Sequence, residues 1–410
     1  MTATATATER IVILGAGYGG LTCALRLGRR LRRRPNRQVT LVDRNPYHLL
    51  ETRLHEAATR GVEVTIPIGR ALRGLPVDFR LGEAVGIDPA ARRVRLADGT
   101  ELDYTYCVIA VGSRTHFYDI PGLEQHALEL KTLEDSQRIR DRVERLFARA
   151  RAEVNPQVRR EMLTFVVGGG GLTGVELAGE LADRCRALAA EHGLAERDYE
   201  LIVCELSDTI LPMLEPRLRQ KAAEILTAKG VRILTGTRVL GMTEGRIRIE
   251  PGGELRAQTL VWTGGIRAAD LVRELPGVET GPQGRILVDE FLQVKGHPEL
   301  FAIGDAALAI NPATGRAVPA AAQFALQQGR LTADNLVARL EGRPMRPYRP
   351  RVLGEVISLG RHMAVGWVAL VGWRARLRFV GFLASLIKRA IAEKHVVLLW
   401  RERQQWLGYS

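Results

Sequence analysis

Short runs of β-branched and aliphatic residues recur along this chain, and most of them end on glycine or on a carboxylate. Arg10-Ile-Val-Ile-Leu14 enters Gly15-Ala-Gly17-Tyr-Gly-Gly20, and the Ala- and Leu-rich stretch from Leu21 onward then takes up helical spacing. Gln38-Val-Thr-Leu-Val42 ends in Asp43, and Tyr106-Cys-Val-Ile-Ala110 in Val111-Gly112-Ser113. The pattern then repeats. Met162-Leu-Thr-Phe-Val-Val167 enters Gly168-Gly169-Gly170-Gly171-Leu-Thr-Gly174 and a second helical stretch, and Tyr199-Glu-Leu-Ile-Val-Cys204 ends in Glu205. Thr259-Leu-Val-Trp262 runs into Gly264-Gly265, Arg285-Ile-Leu-Val288 into Asp289, and Leu300-Phe-Ala-Ile303 into Gly304-Asp305. Alternation of strand and helix predicts an α/β fold with parallel sheets. The polar and apolar alternation of Arg92–Tyr104 around Asp98-Gly99 predicts a β-hairpin.

Strand, glycine turn, helix, strand and terminal acid, in that order, point to a dinucleotide site. Gly15 allows the tight turn, Gly17 lets backbone approach a pyrophosphate, and Gly20 lets helix pack on strand. Asp43, with Arg44 beside it, is placed to accept from ribose hydroxyls. Gly169, Gly171 and Gly174 repeat the register, with Glu205 as the partner acid. A carboxylate there repels a 2′-phosphate, which favours NADH over NADPH. Small-residue turns at Gly112 and Gly264 permit close backbone approach to a cofactor. Asp305 at its strand end can hold a ribityl hydroxyl, and a following helix would direct N–H groups at a phosphate.

The 410 residues exceed one typical core, so two or three domains are expected. Hydrophobic residues at 46% and charged residues at 26% describe a globular chain. The net charge of +13 attracts anionic surfaces, but no nucleic-acid-binding module accompanies it, so no nucleic-acid partner is expected. Cys23, Cys107, Cys185 and Cys204 show no CxxC or CxxxxC spacing. That removes a zinc ribbon and a local redox-active pair, leaving four buried thiols and no metal site. Met1–Thr8 has neither a basic nor an apolar signal region, so a cytoplasmic location is expected. His48 and His55 follow an Asn-Pro turn and read more readily as hydrogen-bonded loop histidines than as catalysts.

Two glycine signatures followed by a Gly-Asp strand end resemble the pyridine-nucleotide oxidoreductase flavoproteins, with FAD at the first site and NAD(P)H at the second. Within that group, Asp43-Arg-Asn-Pro-Tyr-His48-Leu, Lys131-Thr-Leu-Glu-Asp135, Gly171-Leu-Thr-Gly-Val-Glu176-Leu-Ala-Gly-Glu-Leu and Ala302-Ile-Gly-Asp305 resemble the type II, single-subunit NADH:quinone oxidoreductases. Ala322-Gln323-Phe-Ala-Leu-Gln327-Gln328-Gly329 extends the likeness, which covers roughly residues 9 to 340. The resemblance implies FAD contacts at Gly15, Gly17, Gly20, Asp43, Gly112 and Asp305, and NADH contacts at Gly169, Gly171, Gly174 and Glu205. Glu176 falls near the meeting of nicotinamide and flavin, and Gln323 and Gln327 on the quinone side. It further implies an FAD-binding domain in two parts, 9–120 and 285–345, with an NADH-binding domain of 121–284 inserted between them. The expected activity is electron transfer from NADH through flavin to a membrane quinone, without proton pumping. Two departures, Ala110-Val-Gly112 for the usual Ala-Thr-Gly and the absence of the usual apolar run after His48, leave the acceptor open. The alternatives are a soluble flavin reductase serving a protein such as ferredoxin, and a flavin-bound redox sensor.

Residues 346–410 are expected to form a C-terminal helical segment that associates with a membrane. Arg374, Arg376 and Arg378 interrupt its apolar run, so it does not span. Phe379, Phe382, Leu383, Leu386 and Ile387, with Lys388, Arg389, Lys394, Arg401 and Arg403 nearby, suit an anionic headgroup layer, as do Trp373, Trp400 and Trp406. Packing on the protein's own core or on a second subunit, as in a homodimer, is the other use of that face. The resemblance places Lys388 near a quinone entrance and the protein peripherally on the inner face of the cell membrane.

Overall fold

A strand buried on both faces must be apolar at every position, not at alternate ones. Ile11, Val12, Ile13 and Leu14 are all buried, and the strand Glu9–Leu14 lies inside a six-stranded sheet. The computed structural model describes residues 8–34, 36–273, 275–369, 376–388 and 390. Strand order in the first sheet is Gln293–Val294, His297–Ala302, Tyr106–Ile109, Glu9–Leu14, Arg37–Asp43, Asp78–Leu81. Only its edge pair, Gln293–Val294 with His297–Ala302, is antiparallel. A second, parallel sheet runs Val231–Leu234, Glu200–Cys204, Thr164–Gly168, Thr259–Trp262.

The second sheet is made entirely of chain lying between strands Tyr106–Ile109 and His297–Ala302 of the first. The chain leaves through Ser113–Thr115 and returns through Ile266–Ala268, and these two stretches pair antiparallel. In each sheet the first strand has later strands on both sides, so the order reverses there and a crevice opens at the strands' carboxyl ends. Both glycine turns sit in those crevices. Each unit also carries a three-stranded antiparallel meander before its last central strand, at Ala84–Asp103 and Arg238–Arg256. The first contains the expected hairpin, with Arg93–Leu96 paired to Glu101–Asp103.

Two expectations are corrected. No helix directly follows Asp305: a single 3-10 turn, Gly304–Ala306, leads to the short strand Ala307–Leu308, and the long helix begins only at Ala322. The C-terminal part is not helical throughout either. Gly354–Ser358, Ala364–Ala369 and Arg376–Gly381 form an antiparallel sheet, and helix begins at residue 382. Period two in Arg376-Leu-Arg-Phe-Val380 and the close pairing that Gly366 permits, where a Cβ would stand 2.2 Å from the Glu355 carbonyl oxygen, decide for strand. Ile357, Leu359, Val365 and Trp367 of this sheet pack into the core beside helix Leu172–His192. Trp373, Arg374, Arg389, Lys394, Trp400, Arg401, Arg403 and Trp406 lie outside the described residues. Among the described residues, no helix is long and apolar enough to cross a membrane.

Helix Ala322–Leu340 lies along helix Tyr18–Arg30 and fixes its own N-terminal end over the first crevice. Asp334 holds Arg26 through paired contacts of 2.7 and 2.8 Å, and the helices touch where Gly329 meets Gly19. A Cβ on Gly329 would stand 2.3 Å from the Gly19 carbonyl oxygen. Gly329→Ala is therefore expected to destabilise the fold by about 1–3 kcal/mol, the usual cost of overpacking a close helix contact; an unchanged chemical-denaturation midpoint would show that the helices separate without cost.

Candidate functional site

The two glycine turns are built alike. Gly15 has φ +99° and Gly169 φ +115°, a region that side chains avoid. The third glycine of each turn lies against the first: a Cβ on Gly20 or Gly174 would approach the Gly15 or Gly169 carbonyl oxygen to 1.9 Å. The middle glycines differ from both. A Cβ on Gly17 or Gly171 would meet nothing within 4 Å, so each turn opens a space at the amino end of a helix. Exposed backbone N–H groups and the helix dipole make such a space suitable for a pyrophosphate.

The strand-end acids hold these turns in the same way. Asp43 accepts from the Ala16 N–H at 2.6 Å and the Asn45 N–H at 2.7 Å. Glu205 accepts from the Gly170 N–H at 2.5 Å and the Ser207 N–H at 2.7 Å. Burial raises the Asp43 carboxyl above its ordinary range, and the two backbone donors oppose that shift. Arg44 points instead toward Glu83, at 3.8 Å. Gly264 faces the second turn, where a Cβ on Gly169 would stand 2.9 Å from its Cα. The Trp262 ring covers Gly264, and its Nε1 donates to the His116 carbonyl at 2.8 Å. A recess of about 330 Å³ opens beside Glu205 between Asp208, Ile210, Arg219 and Thr235, and Ile210 lies against Gly170 of the second turn.

Gly112 and Gly304, both with positive φ, bring the ends of strands Tyr106–Ile109 and His297–Ala302 to the first turn, and a Cβ on Gly112 would also meet open space. The Gly304 N–H donates to Gln328 Oε1 at 2.7 Å. Gln328 is buried and went unnoticed beside Gln327 in the sequence, where one more glutamine on a helix carries no distinguishing signal. Asp305 accepts from the Ser113 hydroxyl at 2.7 Å, and Lys131 Nζ reaches the Ser113 oxygen at 3.2 Å and Glu51 at 2.9 Å. Asp305 and Glu51 raise the Lys131 pKa against the opposing effect of burial, which is the largest single influence.

Glu176 lies one turn into helix Leu172–His192, on the side facing the C-terminal sheet. Its Oε1 accepts from the Ser358 N–H at 3.1 Å and pairs with Lys388 Nζ. His55 completes the cluster: Nε2 lies 3.1 Å from Ser358 Oγ, and Nδ1 lies 3.5 Å from Glu176 Oε2. Burial draws the Lys388 ammonium down to about 7, partly opposed by the charge of Glu56. Burial, followed by the positive charge of Lys388, holds His55 well below the ordinary imidazole value. Only the fold brings Glu176 to Ser358 and Lys388, across strands absent from the sequence expectation.

Gln323 and Gln327 do share one helix face, but their amide groups are engaged. Gln327 donates to the Arg351 carbonyl at 2.8 Å and accepts from the Arg351 N–H at 2.9 Å. Gln323 accepts from the Leu353 N–H at 3.0 Å and donates to the Gly354 carbonyl at 3.4 Å. The two glutamines thereby clasp residues 351–354 as a strand neighbour would.

His48 is wholly buried, with Nδ1 2.8 Å from the Ala16 carbonyl oxygen. Burial lowers its pKa from 6.5 to about 4. In the unfolded chain the imidazole takes a proton through pH 6.5 while the folded site refuses it until about 4, so stability falls as pH drops through that window. This residue supplies up to about 3 kcal/mol of the acid loss. His48→Gln is expected to flatten the stability profile between pH 6.5 and 4; a profile parallel to that of the unsubstituted protein would assign the acid loss elsewhere.

A profile of the pyridine nucleotide-disulphide oxidoreductase family matches residues 9–329. The type II NADH:quinone oxidoreductases of Staphylococcus epidermidis and Staphylococcus aureus are each 31% identical to this chain over 366 residues, spanning 88% of it and 90% of the relative. Among solved structures, NDH2 from Plasmodium falciparum in complex with NADH superposes with a TM-score of 0.83 at 18% identity, covering 97% of this chain and 99% of that one. The sulfide:quinone oxidoreductase of Aquifex aeolicus superposes at 0.78 and 19% identity, over 96% and 91%. At those identities the structural likeness speaks for the fold.

Proposed function

The chain belongs to the pyridine nucleotide-disulphide oxidoreductase family, in its type II NADH:quinone oxidoreductase branch, and from that premise we propose how its residues perform the reaction. It is an FAD-dependent oxidoreductase that carries electrons from NADH through flavin to a quinone. The observation that supports this most directly is the duplicated turn: two open glycine cradles, each braced by a strand-end acid, in one chain. The first cradle fits FAD, with Gly15, Gly17 and Gly20 around the pyrophosphate, Asp43 and Arg44 at the ribose, and Gly112, Gly304 and Asp305 along the ribityl chain. The second fits NADH, with Gly169, Gly171 and Gly174 at the pyrophosphate, Glu205 at the adenosine ribose and Gly264 beside the nicotinamide end. Domain limits of 9–120 with 285–345, and 121–284, remain the proposed division, with the return at Ile266–Ala268 and the residues Ala268, Val272 and Leu275 packing on the first unit.

FAD, when bound, supplies the two-electron chemistry that no side chain has. Around it the protein orients, shields and moves protons. Glu176, Lys388 and Ser358 form a buried network that can hold a proton near neutral pH. Gln323 and Gln327 act through the strap 351–354, which they keep against the helix. The four cysteines are free and buried, with thiols pushed up by burial, so they offer no thiolate for sulfide or disulfide chemistry.

Anaerobic rapid mixing tests this reading. NADH is expected to bleach the yellow absorbance quickly, and a short-chain naphthoquinone to restore it quickly. Glu176→Gln should slow the restoring half by about 10² while sparing the bleaching half. Bleaching without restoration by any quinone would favour a protein acceptor such as ferredoxin.

Helix 382–388 turns Phe382, Leu383 and Leu386 outward, 58, 60 and 43% exposed, while Lys388 points inward to Glu176. Leu377 and Val380 are also exposed on the preceding strand. Apolar side chains facing water, with Arg376 and Arg378 on the adjoining strand, suit the headgroup layer of an anionic membrane, and a second subunit is the alternative cover. Co-sedimentation with vesicles containing anionic lipid is expected, and should fall several-fold in Phe382→Ser/Leu383→Ser. Equal sedimentation of both proteins would move the contact elsewhere, and a concentration-dependent dimer lost in the variant would assign the face to a partner copy.

A further inference from the structure

The side chains of Glu51, Lys131, Ser113 and Asp305 form one hydrogen-bonded row that joins four separate pieces of the fold. Glu51 opens the 3-10 turn after the short strand Tyr47–Leu49, and Ser113 begins the linker that leaves the first unit. Lys131 precedes the capped helix Leu133–Ala150, and Asp305 ends the strand that re-enters the first sheet. The row runs at 2.9 Å, 3.2 Å and 2.7 Å. Its polarity follows from donor and acceptor inventory alone. An ammonium has no lone pair to accept with, so Lys131 must donate to the Ser113 oxygen, and a carboxylate can only accept. The single Ser113 proton therefore points at Asp305 Oδ2. Asp305 Oδ1 meets no donor among the described residues.

Lys131 is itself held at both ends. The Asp135 carboxylate accepts from the Lys131 N–H at 3.1 Å and from the Thr132 N–H at 2.8 Å, within the capping box of helix Leu133–Ala150. Glu51 holds the ammonium from the opposite side. The lysine side chain is only 19% exposed. With Asp135 on its backbone N–H and Glu51 and the Ser113 oxygen on its partly buried ammonium, Lys131 has its place set to within a hydrogen bond, so whatever Asp305 binds inherits that placement.

We propose that Lys131 is a positioning residue for the flavin: through the Ser113 hydroxyl it fixes the Asp305 carboxylate with one oxygen turned toward the ribityl chain. Its charge is also a nearby positive charge for a flavin that becomes more negative on reduction. The inference rests on FAD occupying the first cradle. It adds to that reading a residue drawn from the second unit's approach segment.

The test uses purified holoenzyme of the unsubstituted protein and of Lys131→Met, Ser113→Ala, the double variant and Lys131→Arg. The readouts are the FAD dissociation constant on reconstitution and the flavin midpoint potential. Lys131→Met and Ser113→Ala should each weaken FAD about tenfold or more, and the double variant should be no weaker than the worse single one, because both break the same row. Lys131→Arg should recover most of the affinity, and the midpoint should move negative in Lys131→Met but not in Lys131→Arg. Unsubstituted protein that takes up no FAD would overturn the functional reading itself. FAD uptake with Lys131→Met matching the unsubstituted protein in affinity and potential would overturn only the role of the row, as would additive losses in the double variant. Ser113→Ala keeps the charge and carries the test alone if Lys131→Met does not fold.

Discussion

A carboxylate at the end of one strand accepting from the backbone of a neighbouring turn is the contact on which this molecule depends. A glycine turn with positive φ and no side chains has little to hold it in one conformation, and glycine loses more freedom on ordering than any other residue. Asp43 and Glu205 offset that cost by tying the second residue of each turn to the adjacent strand. The turn is then already open where an anion's oxygens would sit. Its ordering is completed on folding, leaving less to be lost on binding.

The two units apply this device with different acids. Asp43 and Glu205 accept from matching partners, Ala16 and Asn45 in one case, Gly170 and Ser207 in the other. The longer side chain still reaches because the second turn is a run of four glycines, where Gly170 comes close to the Glu205 methylenes: a Cβ there would lie 3.0 Å from Glu205 Cβ. An alanine, which the first turn accepts at the corresponding Ala16, would crowd the longer acid. Sequence differences between the units are thus compensating changes within one geometry.

Whatever is decided within a few residues could be read from the chain alone. The strand and glycine order, the terminal acids, the hairpin around Asp98-Gly99 and the buried thiols all follow from local sterics and from burial. The C-terminal part differs from the expected helix because Arg376 to Val380 alternates and pairs with Ala364–Ala369, a partner far enough away that no local signal names it. Gln323 and Gln327 were visible as a helical pair, but nothing local reveals that residues 351–354 return to occupy their amides. Ser358, Lys388 and His55 converge on Glu176 from distant parts of the chain, and only tertiary packing brings them together. No helix follows Asp305 as one follows each glycine turn: that strand end passes through a single 3-10 turn into a short strand.

The two strands that carry the chain between the units pair over three rungs, Ser113 to Ala268, Arg114 to Arg267 and Thr115 to Ile266, and helix Leu54–Arg60 also packs on helices Leu133–Ala150 and Leu172–His192. A slip of one rung would displace one unit by about 3.3 Å along the strand. Hydride transfer needs its reacting atoms at about 3–3.5 Å, so a single rung equals the whole working distance. The ladder therefore serves as a gauge block: together with the packed helix Leu54–Arg60, it ties the spacing between the two cofactor cradles to the peptide repeat, and a slip of one rung would be enough to put donor and acceptor out of reach.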